Sequence, residues 1–90
     1  MIDYDRFTNA LGGLQEREIL AYVSDFINSN PDEEGMNNFM KSAGEGINIV
    51  KDYYEKGVYN VGDLIFAKEI LSDILNIMEP MVHASVSFSL

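Results

Sequence analysis

The chain has 90 residues, 15 acidic and 6 basic side chains for a formal net charge of −9, and no cysteine. That length sets a single domain with a limited core. The lack of cysteine excludes disulfides, thiolate chemistry and cysteine-ligated metals, and points to a reducing compartment. The acidity argues against nucleic acid, whose phosphates need neutralising, and against an anionic membrane surface.

No run reaches the roughly 20 apolar residues of a membrane span. The opening MIDYDRF carries charge at once and no apolar core, so no signal peptide is expected and the cytoplasm is the expected location.

In chain order, Tyr4, Phe7 and Leu11, continued by Leu14, predict a short first helix over 3–11 that Gly12-Gly13 ends. Ile19, Leu20, Val23, Phe26 and Ile27 mark one face of a second helix over 15–29. The sequence Asn28-Ser29-Asn30-Pro31 reads as a stop followed by a start, with Asn30 as cap, Pro31 at the first helical position and Asp32, Glu33 and Glu34 at the positive end of the dipole.

The third helix is predicted from Pro31 to about Lys56, about 38 Å at 1.5 Å per residue. Its stripe is Met36, Met40, Ala43, Ile47, Val50 and Tyr54. The small residues at 42–46 mark either a close helix approach or a kink, and a continuous helix is expected. Gly57 is placed to end it in a left-handed conformation. Asn60 is placed to cap the next helix, with Asp63 in the capping-box position.

The fourth helix is expected over about Val61–Met81, with Leu64, Ala67, Leu71, Ile74, Met78 and Met81 as its seam and Ile65, Ile70 and Ile77 beside it. Ile47, Val50, Leu71, Ile74 and Met78 are expected to form the buried centre. Residues 85–90 alternate polar and apolar like a short strand. The expected architecture is therefore all-α, an antiparallel four-helix bundle over 1–84 with a tail at 85–90.

No phosphate-binding loop, nucleophile elbow or histidine pair is present, and His83 is the sole histidine. The acidic groups Asp32-Glu33-Glu34 and Glu16/Glu18 are dipole partners and solvated faces. No catalytic or metal-binding residue is expected. Tyr53, Tyr54, Tyr59 and Phe66 gather near the third turn, either as core or as a site.

The run Glu45-Gly46-Ile47, Val50, Tyr53-Tyr54-Glu55-Lys56-Gly57, Tyr59 and Gly62-Asp63-Leu64-Ile65-Phe66-Ala67 resembles the helical cap of corrinoid proteins. These are the methyl carriers of methyltransferase systems and the cobalamin-binding module of methionine synthase. Glu79-Pro80 matches the family's usual helix end. The resemblance spans about 5–84 and is specific over 44–81.

It implies a cap that lies over the upper face of the corrin ring and shields the methyl–cobalt bond. By position, the implied contacts are Tyr54, Asn60, Val61 and Leu64. Asn60 stands where the family has an aromatic residue, Gly62 where it often has proline, Lys51 glycine and Ile47 methionine. The family holds its cobalamin in a following Rossmann-like domain with an Asp-x-His-x-x-Gly motif, which His83-Ala84-Ser85-Val86 does not match. The resemblance therefore implies no tight corrinoid binding by these residues alone.

Two functional readings follow. In the first, the chain is the cap module of a corrinoid methyl carrier, not itself an enzyme, partnered by a corrinoid-binding domain or a methyltransferase. In the second, it is a stand-alone oligomeric helical interaction protein that binds no corrinoid. A homodimer is expected, built on Val58, Tyr59, Val61, Leu64 and Ile65, with further apolar lines at Ile70 and Ile77 and at Val86, Phe88 and Leu90.

Overall fold

A computed structural model describes residues 3–85, with side chains through residue 79. It is all-α: α1 spans Tyr4–Gly12, α2 Glu16–Asn28, α3 Glu33–Glu55 and α4 Val61–Ser85, with no strand among the described residues. The alternating tail at 86–90 lies outside the described residues.

Two of the helices begin at aspartates. Asp3 accepts from the Arg6 N–H at 3.1 Å and Asp32 from the Gly35 N–H at 2.8 Å. The cap of α3 is therefore Asp32, two residues beyond the expected Asn30. Its carboxylate satisfies an open N–H of the first turn more strongly than a neutral amide does.

Asn30 serves the preceding helix instead. The second residue past each of the first three helices is left-handed: Leu14 and Asn30 at φ 54° and Gly57 at φ 80°. At Leu14 the closure is paired, Leu14 N–H to Leu11 O and Gln15 N–H to Ala10 O, both at 3.0 Å. Gly57 N–H to Tyr54 O and Val58 N–H to Tyr53 O repeat the pattern at 3.0 and 2.8 Å. Leu14 thus terminates α1 rather than continuing its stripe, and its side chain packs against the core.

The centre is an aromatic stack. Tyr22, Phe7, Phe39 and Phe26 follow one another with centroids 4.8, 4.7 and 4.6 Å apart and nearly parallel planes. Tyr4 meets Phe26 edge-on at 6.4 Å. Rings offset in this way bury large areas and gain a further increment from their quadrupoles. Ile19 and Val23 of α2 and Ile70, Ile74 and Met78 of α4 complete the core.

α3 is one continuous helix, and its small residues admit α1. Thr8 donates its hydroxyl to the Ser42 carbonyl at 3.0 Å, and Tyr4 donates to the Gly35 carbonyl at 3.4 Å. Leu11 lies against Gly46, and Gly12 against Ile49. The rising numbers on both sides show that α1 and α3 run in the same direction.

The buried face of α3 is accordingly Phe39, Ser42, Gly46 and Val50. Of the expected stripe, Val50 lies on this face, whereas Met36, Ala43 and Ile47 are half-buried beside it and Met40 is 57% exposed. On α4 the buried face is Ala67, Ile70, Ile74 and Met78, three of them on the expected seam, with Ile70 in the place of Leu71. Ile70, expected on an outer line, is fully buried, whereas Leu64 and Leu71 are half-buried. α4 also runs through Pro80 to Ser85 rather than ending near Met81. A proline removes one N–H donor from a helix without compelling it to stop.

Candidate functional site

The corner between α3 and α4 carries every residue that the cap resemblance singles out. Tyr54 lies in the last turn of α3, Asn60 immediately precedes α4, and Val61 and Leu64 are in its first turn. Tyr54 is 41% exposed and Val61 58%, with Val58 between them still more open. Leu64 is half-buried.

Asn60 is fixed by a reciprocal cap. Its side-chain oxygen accepts from the Asp63 N–H, and the Asp63 carboxylate accepts from the Asn60 N–H, both at 2.9 Å. The side chain that the resemblance places against a corrin is therefore engaged in holding the helix start. This was legible from the Asn-x-x-Asp spacing.

The turn is tied down by Tyr59, whose hydroxyl donates to the Gly12 carbonyl at 2.8 Å. That bond uses an open carbonyl at the end of α1 and anchors the corner to the rest of the fold. Tyr53 meets Tyr59 edge-on at 5.1 Å. Burial, then the neighbouring Tyr53 and Asp63, push the Tyr59 phenol above its ordinary pKa. The aromatic group is therefore split: Tyr59 and Phe66 are half-buried, while Tyr53 and Tyr54 are exposed. The Tyr59–Gly12 link spans 47 positions, and no local spacing announces it.

Lys56 pairs with Asp52 at 2.9 Å, and this hydrogen bond raises the lysine pKa. Both side chains are solvent-facing, so the pair adds little to stability. Among the described residues no group of three or more His, Asp or Glu side chains is placed to hold a metal ion. The corner can present an apolar and aromatic surface, with Asn60, Asp63 and Tyr59 engaged within the chain.

No protein-family model matches the chain, and no solved structure matches it. No described helix is long and apolar enough to cross a membrane.

Proposed function

We propose that the chain acts as the cap module of a corrinoid methyl carrier, covering the methyl–cobalt face while a separate Rossmann-like domain holds the corrinoid. The observation that carries this reading is the exposure of Tyr54 and Val61 on either side of one tight turn, where the cap resemblance puts its ring contacts. Bulky apolar groups held there by the Asn60–Asp63 cap and the Tyr59–Gly12 bond suit a cover that excludes water. A corrinoid supplies a methyl group carried on cobalt. Tyr54, Val61 and Leu64 would lie over it, and Asn60 would position them. The module is not a catalyst by itself, and free cobalamin should bind it weakly or not at all in a titration followed by visible absorbance.

The test adds the chain to a corrinoid-binding domain that lacks its own cap and is loaded with methylcobalamin. Photolysis of the methyl–cobalt bond should slow, and Val61→Asp should remove the protection. Aspartate at the first helical position suits the dipole, so this variant keeps its fold. Unchanged photolysis with the parent chain overturns the reading.

A second reading is supported by α4 itself. Ile65 and Leu75 are more than half exposed along its outer side. This favours an oligomeric helical interaction protein, formed as a homodimer and binding no corrinoid.

A further inference from the structure

α4 carries a second apolar stripe besides the one that enters the core. Val61, Leu64, Lys68, Leu71 and Leu75 recur at steps of three, four, three and four, the spacing of a helix-pairing seam. Val61 and Leu75 are 58% and 60% exposed, and Leu64 and Leu71 are half-buried. The core takes Ala67, Ile70, Ile74 and Met78, and Leu71 packs against its edge, so the fold covers the second face only in part.

Charge argues against a basic helix as the occupant. A chain of net charge −9 suggests a basic partner, but that partner needs carboxylates along the seam. At about 100° per residue, Glu69 and Asp73 fall on the far side of α4, while Glu79 lies on the seam's own face one turn beyond Leu75, past the paired stretch. The charged residue within the seam is a cation, Lys68. The seam is thus unsuited to a basic helix and free of the acid–acid contacts that would separate two copies.

From Leu64 to Leu75 its order, steps of four, three and four, is also self-complementary on reversal. With two α4 helices antiparallel, Leu64 meets Leu75 of the other copy, and Lys68 meets Leu71. The methylene stem of Lys68 covers that leucine while the ammonium reaches water. A patch that matches itself after a half-turn is what a two-fold contact requires.

We propose that α4 pairs antiparallel with α4 of a second copy, around a two-fold axis passing between Glu69 and Ile70. The paired stretch from Leu64 to Leu75 is about 17 Å long at 1.5 Å per residue. One such contact falls short of the roughly 800 Å² per partner of a standard interface, so the dimer is weak and concentration-dependent. It also covers Leu64, so pairing and the covering of a corrin exclude one another. This inference rests on the interaction-protein reading.

Sedimentation velocity over a concentration series tests the dimer, and cysteine cross-linking tests its geometry. The parent should pass from monomer to dimer with concentration, more readily as salt screens the net charge. Leu75→Asp should remain monomeric. Ile77→Asp, also exposed but on the other side of α4, should pair like the parent. The chain has no cysteine, so an introduced thiol is unique. Lys68→Cys, beside the axis, should cross-link to its own kind on mild oxidation. Val61→Cys should not, because the two positions are about 25 Å apart along the helices. A monomer throughout, at high micromolar protein, overturns both the interaction reading and the seam. A dimer in which Val61→Cys links as readily as Lys68→Cys leaves that reading standing and overturns the antiparallel seam. Circular dichroism checks that Leu75→Asp is folded, and the cysteine pair decides independently of it.

Discussion

Leu11 packs so closely on Gly46 that a β-carbon at position 46 would lie 2.8 Å from the Leu11 Cβ. Leu11 is fully buried, and its Cβ cannot move without its backbone. Gly46→Ala should therefore force α1 and α3 apart, an overpacking cost of about 1–3 kcal/mol. The better helix propensity of alanine returns up to about 1 kcal/mol. The expected result is a lower melting temperature, by several degrees if the balance is about 1 kcal/mol. Gly44→Ala is the control, since nothing lies within 4 Å of its added carbon. That variant should melt higher than the parent, and matching shifts in both would contradict the close approach.

The same pair explains where sequence pattern and structure part. Elements, turns and the Asn60 cap were legible because they rest on local chemistry: Gly57 in a left-handed turn, Asn60 and Asp63 at capping spacing. The faces of α3 and α4 were legible only in part, through Val50, Ala67, Ile74 and Met78. On α3 the buried positions include Ser42 and Gly46, chosen for smallness rather than hydrophobicity, so counting apolar residues pointed to Met36, Met40 and Ile47. Phe39, at the centre of the ring stack, shares that face with Ser42 and Gly46 and so stood outside the apolar stripe. On α4 apolar residues occupy two adjacent stripes, and periodicity cannot say which meets the core. Asn30 carries signals for both a cap and a left-handed stop, and the stronger acceptor Asp32 decided between them. At the candidate site, Tyr54, Val61 and Leu64 rest on a positional likeness, whereas the Tyr59–Gly12 bond needed the fold to bring distant segments together.

The exchange of Ile70 for Leu71 on the buried face of α4 gives a direct comparison. Ile70 is fully buried and Leu71 only half-buried, although they are neighbours of nearly equal size. Ile70→Ala should cost about 2–5 kcal/mol, the range for a buried aliphatic truncation. Leu71→Ala should cost distinctly less. Urea denaturation of the two variants checks this, and the reverse order would restore Leu71 to the centre of the core.

Asn60 separates a structural role from a covering one. Asn60→Ala removes a side-chain acceptor at the start of α4 and should cost about 1 kcal/mol. The Asp63 carboxylate keeps its bond from the backbone N–H of residue 60, which is why the loss is partial. Combining Asn60→Ala with Asp63→Ala should cost less than the sum, because the two bonds support one another. Thermal melts of the two single variants and the double variant measure this coupling, and strict additivity would show that the bonds act alone.

Tyr22 makes the fold sensitive to alkali. Its hydroxyl is buried at the end of the ring stack with no hydrogen-bond partner among the described residues. Burial first, then Tyr4 and Asp3, push its pKa from 10.0 to about 12. A phenol that keeps its proton longer in the folded chain contributes stability that is fully present below pH 10, the unfolded value. That stability is lost as pH rises through 10 toward about 12, because the unfolded chain releases the proton first. Tyr59 is shifted in the same direction, also chiefly by burial, and steepens the loss. Tyr22→Phe keeps the ring against Phe7 and removes a polar atom that lacks a partner. At neutral pH the variant should therefore be as stable as the parent or slightly more so. Between pH 10 and 12 it should lose stability more gradually. Urea midpoints measured across that range for both proteins test the argument. A variant clearly weaker at pH 7, or one that follows the parent through the alkaline range, would show that the hydroxyl has a partner or that its proton is not held by burial.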